Sequence, residues 1–227
     1  MEKESNIIKP VITSAQDYTL YSSLYDATYH SMRGAVQESK HVFIENGLKY
    51  IFNQFPSEKI NILEIGFGTG LNAMLTIEAA LASKRFFNYT GVEKHPVSTQ
   101  LFLDCNYENV SSELAYKAIL KLHQDKSTKL TEDDKYSLQI LTGDFNDLEI
   151  LEKFHLIYLD AFAPNVNSDI WNENVYSILL NLLCENGTFV TFCAQGQFKR
   201  DLKHIGFKVE VLPGALGKRE MTRAIKV

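Results

Sequence analysis

The stretch Asn61-Ile62-Leu63-Glu64-Ile65-Gly66-Phe67-Gly68-Thr69-Gly70 joins a short apolar run to three glycines at alternate positions. A helical pattern of apolar residues follows it, from Leu71 to Leu81. This order predicts a β-strand, a tight glycine loop and an α-helix, the opening unit of a nucleotide-binding α/β sheet. Glycines have no Cβ atom, so such a loop turns sharply and approaches a ligand closely. The start of the helix offers unpaired N–H groups to the same ligand.

The glycine spacing differs from the G-x-G-x-x-G fingerprint of dinucleotide-binding folds. Glu64 to Gly70 instead resembles the E-x-G-x-G-x-G motif of class I S-adenosylmethionine (SAM) methyltransferases. SAM carries a sulfonium and an amino acid, so an acidic residue beside the loop suits it electrostatically. The alternative is a glycine-rich turn that binds nothing. The cofactor contacts expected from this stretch are Glu64, Gly66, Phe67, Gly68, Thr69, Gly70 and Asn72.

Composition bounds the class of protein. The 227 residues are 45% hydrophobic and 22% charged, ordinary values for a globular domain. No apolar run approaches the roughly 20 residues of a membrane span, and Met1–Asn6 lacks a signal-peptide pattern. Cys105, Cys184 and Cys193 lie far apart, which predicts reduced thiols in a cytoplasmic protein without a metal site.

Residues 1–56 are predicted to form an extension to a core of residues 57–227, within one domain of residues 1–227. Val11–Thr13 and Tyr18–Tyr21 read as a hairpin, and apolar residues at helical spacing predict a helix from Gln37 to Phe52. Two alternatives exist for the tyrosines of this extension: a packing layer over the sheet edge, or an aromatic wall for a cofactor or base. These tyrosines are Tyr18, Tyr21, Tyr25 and Tyr29.

Alternating apolar segments predict an α/β fold with a mostly parallel, seven-stranded sheet. After the first strand come Phe87–Glu93, Tyr136–Leu141, Phe154–Leu159, Thr188–Phe192 and a final antiparallel pair, residues 206–211 and 221–226. Gln124 to Lys135 is polar and charged and is predicted to be a solvated loop.

Acidic residues stand at or just beyond three of these strands. Ligands of open α/β sheets bind beyond the carboxyl ends of the strands, which makes Glu93, Asp144 and Asp160 candidates for one crevice. Glu93 is placed to accept hydrogen bonds from ribose hydroxyls, and Asp144 from an adenine amino group. The alternatives are an exposed strand-end carboxylate for Glu93 and a helix cap for Asp144.

The chain resembles one known family over nearly its full length: the methyltransferase that completes 5-methylaminomethyl-2-thiouridine at the tRNA wobble position. This family is MnmD-like and corresponds to the methyltransferase half of the bifunctional MnmC enzyme. Ala161 and Gly214-Ala215-Leu216-Gly217 depart from the family pattern. The matching residues are Leu20-Tyr21-Ser22, Tyr25-Asp26, Tyr29, Gly34, Glu38, Val42-Phe43-Ile44, Gly66 to Asn72, Leu159-Asp160-Ala161-Phe162-Ala163-Pro164, Asn167, Asp169, Trp171, Gly187-Thr188, Thr191-Phe192, Arg200, Gly206-Phe207 and Gly217-Lys218-Arg219-Glu220-Met221.

The resemblance implies an enzyme that methylates the primary amine of 5-aminomethyl-(2-thio)uridine with SAM. Asp160 is then the catalytic residue and also a cofactor contact. An ordinary Asp pKa of about 3.9 favours orienting the amine over deprotonating it. Further implied cofactor contacts are Tyr21 and Lys94, and implied substrate contacts are Phe162, Pro164, Trp171, Lys199, Arg200, Lys218 and Arg219.

One further expectation, two alternative functions and one open question accompany this resemblance. No second dinucleotide loop precedes Val227, so we expect no fused flavin oxidase domain. The alternatives to tRNA methylation are a SAM-fold enzyme that transfers a methyl or aminopropyl group to a small amine, and a non-catalytic module that binds SAM or RNA. The sequence leaves the oligomeric state open.

The charge of the chain is unevenly distributed. Residues 186–227 contain eight basic and three acidic residues, a net +5, so the rest of a chain with net charge −5 carries −10. This asymmetry predicts a basic surface for tRNA near Lys199, Arg200, Lys203, Lys218 and Arg219. The alternative is that these are solvated surface charges.

Overall fold

A computed structural model describes residues 7–227. Met1–Asn6, on which the signal-peptide interpretation rests, lie outside the described residues. The strands are β1 Ile8–Ile12, β2 Tyr18–Ser22, β3 Ala27–Thr28, β4 Ile60–Ile65, β5 Phe87–Glu93, β6 Ser127–Lys129, β7 Tyr136–Thr142, β8 Phe154–Leu159, β9 Leu183–Thr191, β10 Phe207–Pro213 and β11 Glu220–Lys226. The α-helices are α1 Ala35–Ser39, α2 Lys49–Gln54, α3 Leu71–Ala82, α4 Thr99–Asp104, α5 Glu113–Asp125, α6 Glu173–Leu182 and α7 Gly196–Ile205.

The central sheet has the strand order β10-β11-β9-β8-β4-β5-β7-β6. The five strands from β9 to β7 are parallel, and the strands beyond them at both ends pair antiparallel. The strand order reverses between β4 and β8. From β4 the chain adds β5 and β7 on one side, and it then crosses over to add β8 and β9 on the other side. The predicted α/β class with a mostly parallel sheet is therefore confirmed, and the reversal places the binding crevice between these two strands.

Among residues 7–227 the central sheet has eight strands rather than the predicted seven. Ser127–Lys129, within the stretch predicted to be a solvated loop, pairs antiparallel with β7 through Ser127 opposite Gln139 and Lys129 opposite Ser137. The loop prediction is wrong here because this short edge strand pairs with β7 through its backbone and buries only Thr128 among its side chains. Its polar side chains carry no alternating apolar pattern by which a strand is recognised.

The two faces of the sheet pack against different helices. Ile62 and Tyr89 belong to a core shared with α3, α5 and the helical residues 35–54, whereas Leu63 and Val92 belong to a core shared with α6 and α7. The period-2 alternation of strand side chains produces this division. A π-helical stretch, Lys40–Leu48, joins α1 to α2, so the helix predicted for residues 37–52 is continuous but not uniform.

The N-terminal residues pack directly on this framework. β1, β2 and β3 form a separate antiparallel sheet, while Leu20, Val42 and Leu48 are buried in the same core as β4 and β5. The boundary between residues 56 and 57 stays a prediction. Within residues 7–227 no helix is long and apolar enough to cross a membrane.

Candidate active site

The carboxyl ends of the parallel strands, called here the carboxyl edge, surround a cavity that is open to solvent. Its lining combines apolar and aromatic side chains with acidic ones from three strand ends. The lining residues are Tyr25, Tyr29, Ile65, Gly66, Gly68, Val92, Glu93, Lys94, His95, Gly143, Asp144, Phe145, Asn146, Asp160, Ala161, Phe162, Asn167, Asp169 and Ile170.

Gly66 brings the glycine loop against the neighbouring strand end. Its φ of +89° lies in the left-handed region, and a Cβ atom there would stand 2.4 Å from the carbonyl oxygen of Asp160. Only glycine tolerates both the conformation and the contact. The loop after β4 and the turn after β8 therefore share one wall of the cavity.

Glu93 fixes the other side of the loop. Its Oε2 accepts the backbone N–H of Gly68 at 2.8 Å, and its Oε1 accepts that of His95 at 2.8 Å. Burial raises the pKa of Glu93, and these N–H donors act against that rise. Glu93 also lines the cavity, and a carboxylate has about four acceptor positions, so it can accept a further donor there.

Asp144 is both a helix cap and a cavity residue. It accepts the N–H of Asn146 at 3.0 Å at the start of the short 3₁₀ helix Phe145–Asp147. Lys94, at the cavity mouth, forms an ion pair with it at 2.7 Å. This contact with Lys94 holds the pKa of the Asp144 carboxyl below its ordinary value, so an acceptor group stays ionised at the end of β7.

Asn72 joins two acidic side chains behind the glycine loop. Its Nδ2 donates to Glu64 Oε1 and to Asp160 Oδ2, both at 2.8 Å. Tyr89 donates its hydroxyl to the other oxygen of Glu64 at 2.7 Å. Asn72 lies in the first turn of α3, so the helix start fixes the side chain of Asp160 from behind.

Glu64 is buried and Asp160 is partly exposed, but the pKa of each carboxyl is raised. Burial raises the pKa of Glu64 well above its ordinary value. Burial also raises the pKa of Asp160 to about 7, with a further rise from Glu38, against lowering by Asn72 and Lys218. Two carboxyls bound to one amide in a water-poor place do not both ionise easily. Asp160 therefore titrates near neutral pH, unlike the ordinary Asp that the sequence led us to expect.

Aromatic rings close the cavity on the side of the N-terminal extension. Tyr25 stacks on Phe162 with ring centroids 4.3 Å apart, and Tyr29 meets the same ring edge-on at 5.2 Å. Trp171 donates its Nε1–H to the carbonyl oxygen of Phe162 at 2.7 Å. Trp171 thus fixes the turn that follows Asp160 without lining the cavity itself.

The structure divides the predicted cofactor residues into two groups. Those on the cavity are Gly66, Gly68, Glu93, Lys94, Asp144 and Asp160; those away from it are Tyr21, Glu64, Phe67, Thr69, Gly70 and Asn72. Glu64 points to the α3 face with Ile62 because strand side chains alternate. Phe67 and Thr69 pack beneath the loop, where the Thr69 carbonyl oxygen bonds with His123.

The tyrosine predicted from the N-terminal block is not the one on the cavity. Tyr21 donates its hydroxyl to Asp26 at 2.7 Å on the surface. Tyr25 and Tyr29 line the cavity instead. The sequence marked all of them as an aromatic group, but only the position of the turn after β2 decides which rings reach the site.

Among the predicted substrate residues, Phe162 lines the cavity, and the cations lie outside its lining. Lys199 pairs with Glu220 at 2.6 Å, and Lys218 pairs with Glu38. Arg219 is 93% exposed, with Glu220 3.6 Å away. Within residues 7–227, Arg200 and Lys203 have no acidic partner within 4.0 Å, and no cluster of three His, Cys, Asp or Glu residues could hold a metal.

Known proteins resemble this chain in sequence and in fold. A family model described as S-adenosyl-L-methionine-dependent methyltransferase matches residues 107–227. The tRNA 5-methylaminomethyl-2-thiouridine biosynthesis bifunctional protein MnmC of Burkholderia mallei (strain NCTC 10229) is 30% identical over 95% of this chain and 35% of its own. The same protein of Burkholderia pseudomallei (strain 668) is 31% identical over the same shares.

A solved structure has the same fold. The crystal structure of MNMC2 from Aquifex aeolicus superposes with a TM-score of 0.78 at 23% identity, covering 97% of this chain and 71% of the other. The chain spans about a third of the length of the MnmC relatives.

The raised pKa of Asp160 predicts that its ionised carboxylate lowers the free energy of unfolding of the protein. Asp160→Asn should raise the free energy of unfolding at pH 8 and leave it nearly unchanged at pH 4. The native carboxyl is protonated at pH 4, and its ionisation destabilises the fold as the pH rises from 3.8 through about 7. That shift corresponds to about 4 kcal/mol, and solvent in the cavity reduces it, so we expect roughly 1–3 kcal/mol.

Urea unfolding at the two pH values measures this difference. Asp147→Asn, which changes an exposed acid outside the cavity, is the matched control and should leave both values unaltered. An Asp160→Asn protein that is no more stable than wild type at pH 8 would contradict the raised pKa.

Proposed function

Because the chain belongs to the S-adenosyl-L-methionine-dependent methyltransferases, we propose that it methylates the primary amine of 5-aminomethyluridine, 2-thiolated or not, at the wobble position of tRNA. The observation that carries this proposal is Asp160, a carboxyl with a pKa of about 7 beside the cavity. Such a group accepts a hydrogen bond from an amine and stabilises the positive charge that develops on nitrogen. A cytoplasmic location, where tRNA is modified, is part of the proposal.

The cavity fits SAM by the chemistry of its donors and acceptors. Glu93 is held by two backbone N–H groups and presents free lone pairs for the ribose hydroxyls. Asp144 offers an ionised acceptor for the adenine amino group, with Lys94 as its counter-charge. Gly66 and Gly68 line the cavity, and the methionine part would lie against the backbone of their loop. When bound, SAM supplies a methyl group already activated by a sulfonium.

The protein's task is then to position a neutral amine. An alkylammonium resembles a lysine side chain, with a pKa near 10.4, and has no lone pair. After the ammonium gives up one proton, the nitrogen lone pair forms the bond to the methyl carbon. Bound SAM would supply the methyl group and keep the electrons of its carbon–sulfur bond, and the nitrogen would become a methylammonium. Asp160, with its pKa of about 7, is a better acceptor of the departing proton than an ordinary Asp.

The substrate assignment draws on the relatives' names and on Asp160 together. MnmC is named for the biosynthesis of tRNA 5-methylaminomethyl-2-thiouridine, whose side chain is an N-methylated amine. Transfer of a methyl or aminopropyl group to a small amine is the competing proposal, because Asp160 would serve it equally well. Dependence of the reaction on tRNA separates the two.

Loss of the ribose acceptor should weaken SAM binding. Glu93→Ala removes a charge-assisted hydrogen bond worth roughly 1.5–3 kcal/mol, so calorimetric titration should give at least a tenfold weaker affinity. Asp147→Ala, which removes a nearby charge outside the cavity, is the control and should bind SAM as wild type does. An unchanged isotherm for a folded Glu93→Ala protein would refute the ribose assignment.

Methyl transfer itself tests the proposed function. Purified protein with SAM and tRNA from a strain that lacks this activity should convert wobble 5-aminomethyl nucleosides to their methylamino forms, seen by nucleoside mass spectrometry. Asp160→Asn should slow single-turnover transfer by roughly 10²–10³-fold while the protein stays folded. Equal methylation of a free amine without tRNA would favour the competing small-amine activity.

Arg200 and Lys203 are the cations of α7 that remain available for tRNA phosphates. We propose that they contact the tRNA, because Lys199 is already paired with Glu220. Arg200→Glu with Lys203→Glu should weaken tRNA binding and lower the salt dependence by roughly 0.7–0.9 log units per lost contact. The matched control, Lys117→Glu with Lys121→Glu, changes the same charge on α5 across the sheet. Similar losses in both double variants would argue for a general charge effect.

A further inference from the structure

Two tyrosines of the N-terminal extension belong to the wall of the cavity. Tyr25 lies in the turn between β2 and β3, and Tyr29 directly follows β3. Both line the cavity together with Glu93 and Asp144. The sequence left two alternatives for the tyrosines of this extension, a packing layer or an aromatic wall for a ligand. The contacts of these two rings favour the second alternative.

Tyr25 joins two sides of the cavity. Its ring stacks on Phe162, which lies beyond β8, with centroids 4.3 Å apart. The same ring stands 6.4 Å from that of His95, which lies beyond β5. Phe162 and His95 both line the cavity, from the strands on either side of β4. Tyr25 is partly exposed and, among the described residues, belongs to neither of the two cores. Its ring is therefore available as a surface for a ligand.

Tyr29 covers the glycine loop. A Cβ atom on Gly68 would stand 3.0 Å from Cδ1 of Tyr29, so this ring lies directly on the loop backbone. The N–H of Gly68 donates to Glu93, the proposed acceptor for the ribose hydroxyls. Tyr29 also meets the ring of Phe162 edge-on, with centroids 5.2 Å apart. One ring thus connects the loop after β4 with the turn after β8.

The backbone that carries the two rings is held in place. Asp26 has a φ of +45°, in the left-handed region, and its carboxylate accepts the hydroxyl of Tyr21 across the turn at 2.7 Å. The N–H of Tyr29 donates to the carbonyl oxygen of Leu20 at 2.8 Å, and Leu20 is fully buried. Rings on a fixed backbone lose little conformational entropy when a ligand binds.

The two rings stand beside the two acceptors that the proposed site provides for adenosine. His95, the neighbour of Tyr25, directly follows Lys94, which is paired with Asp144 at 2.7 Å. Tyr29 lies on Gly68, which is bonded to Glu93. Tyr25 is therefore on the side of the adenine acceptor, and Tyr29 is on the side of the ribose acceptor.

We propose that Tyr25 and Tyr29 are cofactor-binding residues that hold the adenosine of SAM between the N-terminal extension and the glycine loop. An aromatic ring attracts a nucleobase through its π face, and both surfaces leave water. The cofactor site is then incomplete without the extension. The inference rests on the SAM-binding part of the proposed function and is independent of which amine is methylated.

Removal of either ring should weaken SAM binding. Tyr25→Leu and Tyr29→Met, which fill much of the space without a ring, should bind SAM roughly 5- to 100-fold more weakly in calorimetric titration. Tyr25→Phe and Tyr29→Phe keep the rings and should stay within about twofold of wild type, since the proposal assigns the effect to the ring and not to the hydroxyl.

Tyr18→Leu is the matched control for damage to the extension. Tyr18 is a tyrosine of β2 that packs against the core and lies outside the cavity lining. This variant should bind SAM as wild type does, and circular dichroism should show all variants folded. A loss of affinity in Tyr18→Leu as large as in Tyr25→Leu would mean that packing of the extension matters and not the cavity rings, which overturns the proposal.

S-adenosylhomocysteine tests which part of the cofactor the rings hold. It keeps the adenosine of SAM and lacks the methyl group and the positive charge. Tyr25→Leu and Tyr29→Met should therefore weaken the binding of both ligands by similar factors. A loss confined to SAM would place the rings at the sulfonium, as a cation–π contact, and would overturn the adenosine assignment.

Failure of this inference can be told apart from failure of the proposed function. If wild type binds SAM and folded Tyr25→Leu binds it equally well, the inference is wrong and the proposed function stands. If wild type binds no SAM, both are wrong. Should Tyr29→Met fail to fold because Tyr29 also packs against the core, Tyr25→Leu still decides, because its ring lies outside both cores.

Discussion

Asn72 donates both hydrogens of its amide to carboxyl groups, one to Glu64 inside β4 and one to Asp160 beyond β8. These strands are neighbours at the point where the strand order reverses. The amide therefore fixes the side chain of Asp160 to the start of α3. The close approach of Gly66 to the carbonyl oxygen of Asp160 fixes the backbone of this residue against the glycine loop. The loop, the turn after β8 and the cavity between them depend on this arrangement.

Burial raises the pKa of Asp160, one of the two carboxyls that Asn72 joins. A solvated Asp160 would be ionised at any physiological pH and would bind an ammonium rather than release a neutral amine. Burial and Glu38 shift its titration to about pH 7, and Asn72 and Lys218 limit that shift. Side chains from three elements distant in sequence, two of them charged, thus act on one proton, which is how an enzyme matches a carboxyl to acid–base work near neutral pH.

The sequence predicted those parts of the site that follow from strand ends. Glu93, Asp144 and Asp160 meet in one cavity because the carboxyl ends of parallel strands share one edge. Glu64, which the sequence places beside the glycine loop, alternates to the α3 face, and its contact with a cofactor stays a prediction. The sequence did not separate Tyr21 from Tyr25, because the turn after β2 decides which ring reaches the cavity.

In the basic C-terminal segment, the sequence alone does not predict which cations are paired and which remain free for a ligand. Lys199 and Lys218 look alike in sequence, yet their acidic partners lie 21 and 180 residues away. Local spacing contains no information on such pairs, since only the closed sheet brings α1 beside the loop before β11. Arg200 and Lys203, without such partners among the described residues, keep their charge for solvent or a polyanion. The +5 of the segment therefore divides into charge that is paired with acidic residues inside the fold and charge that remains at the surface.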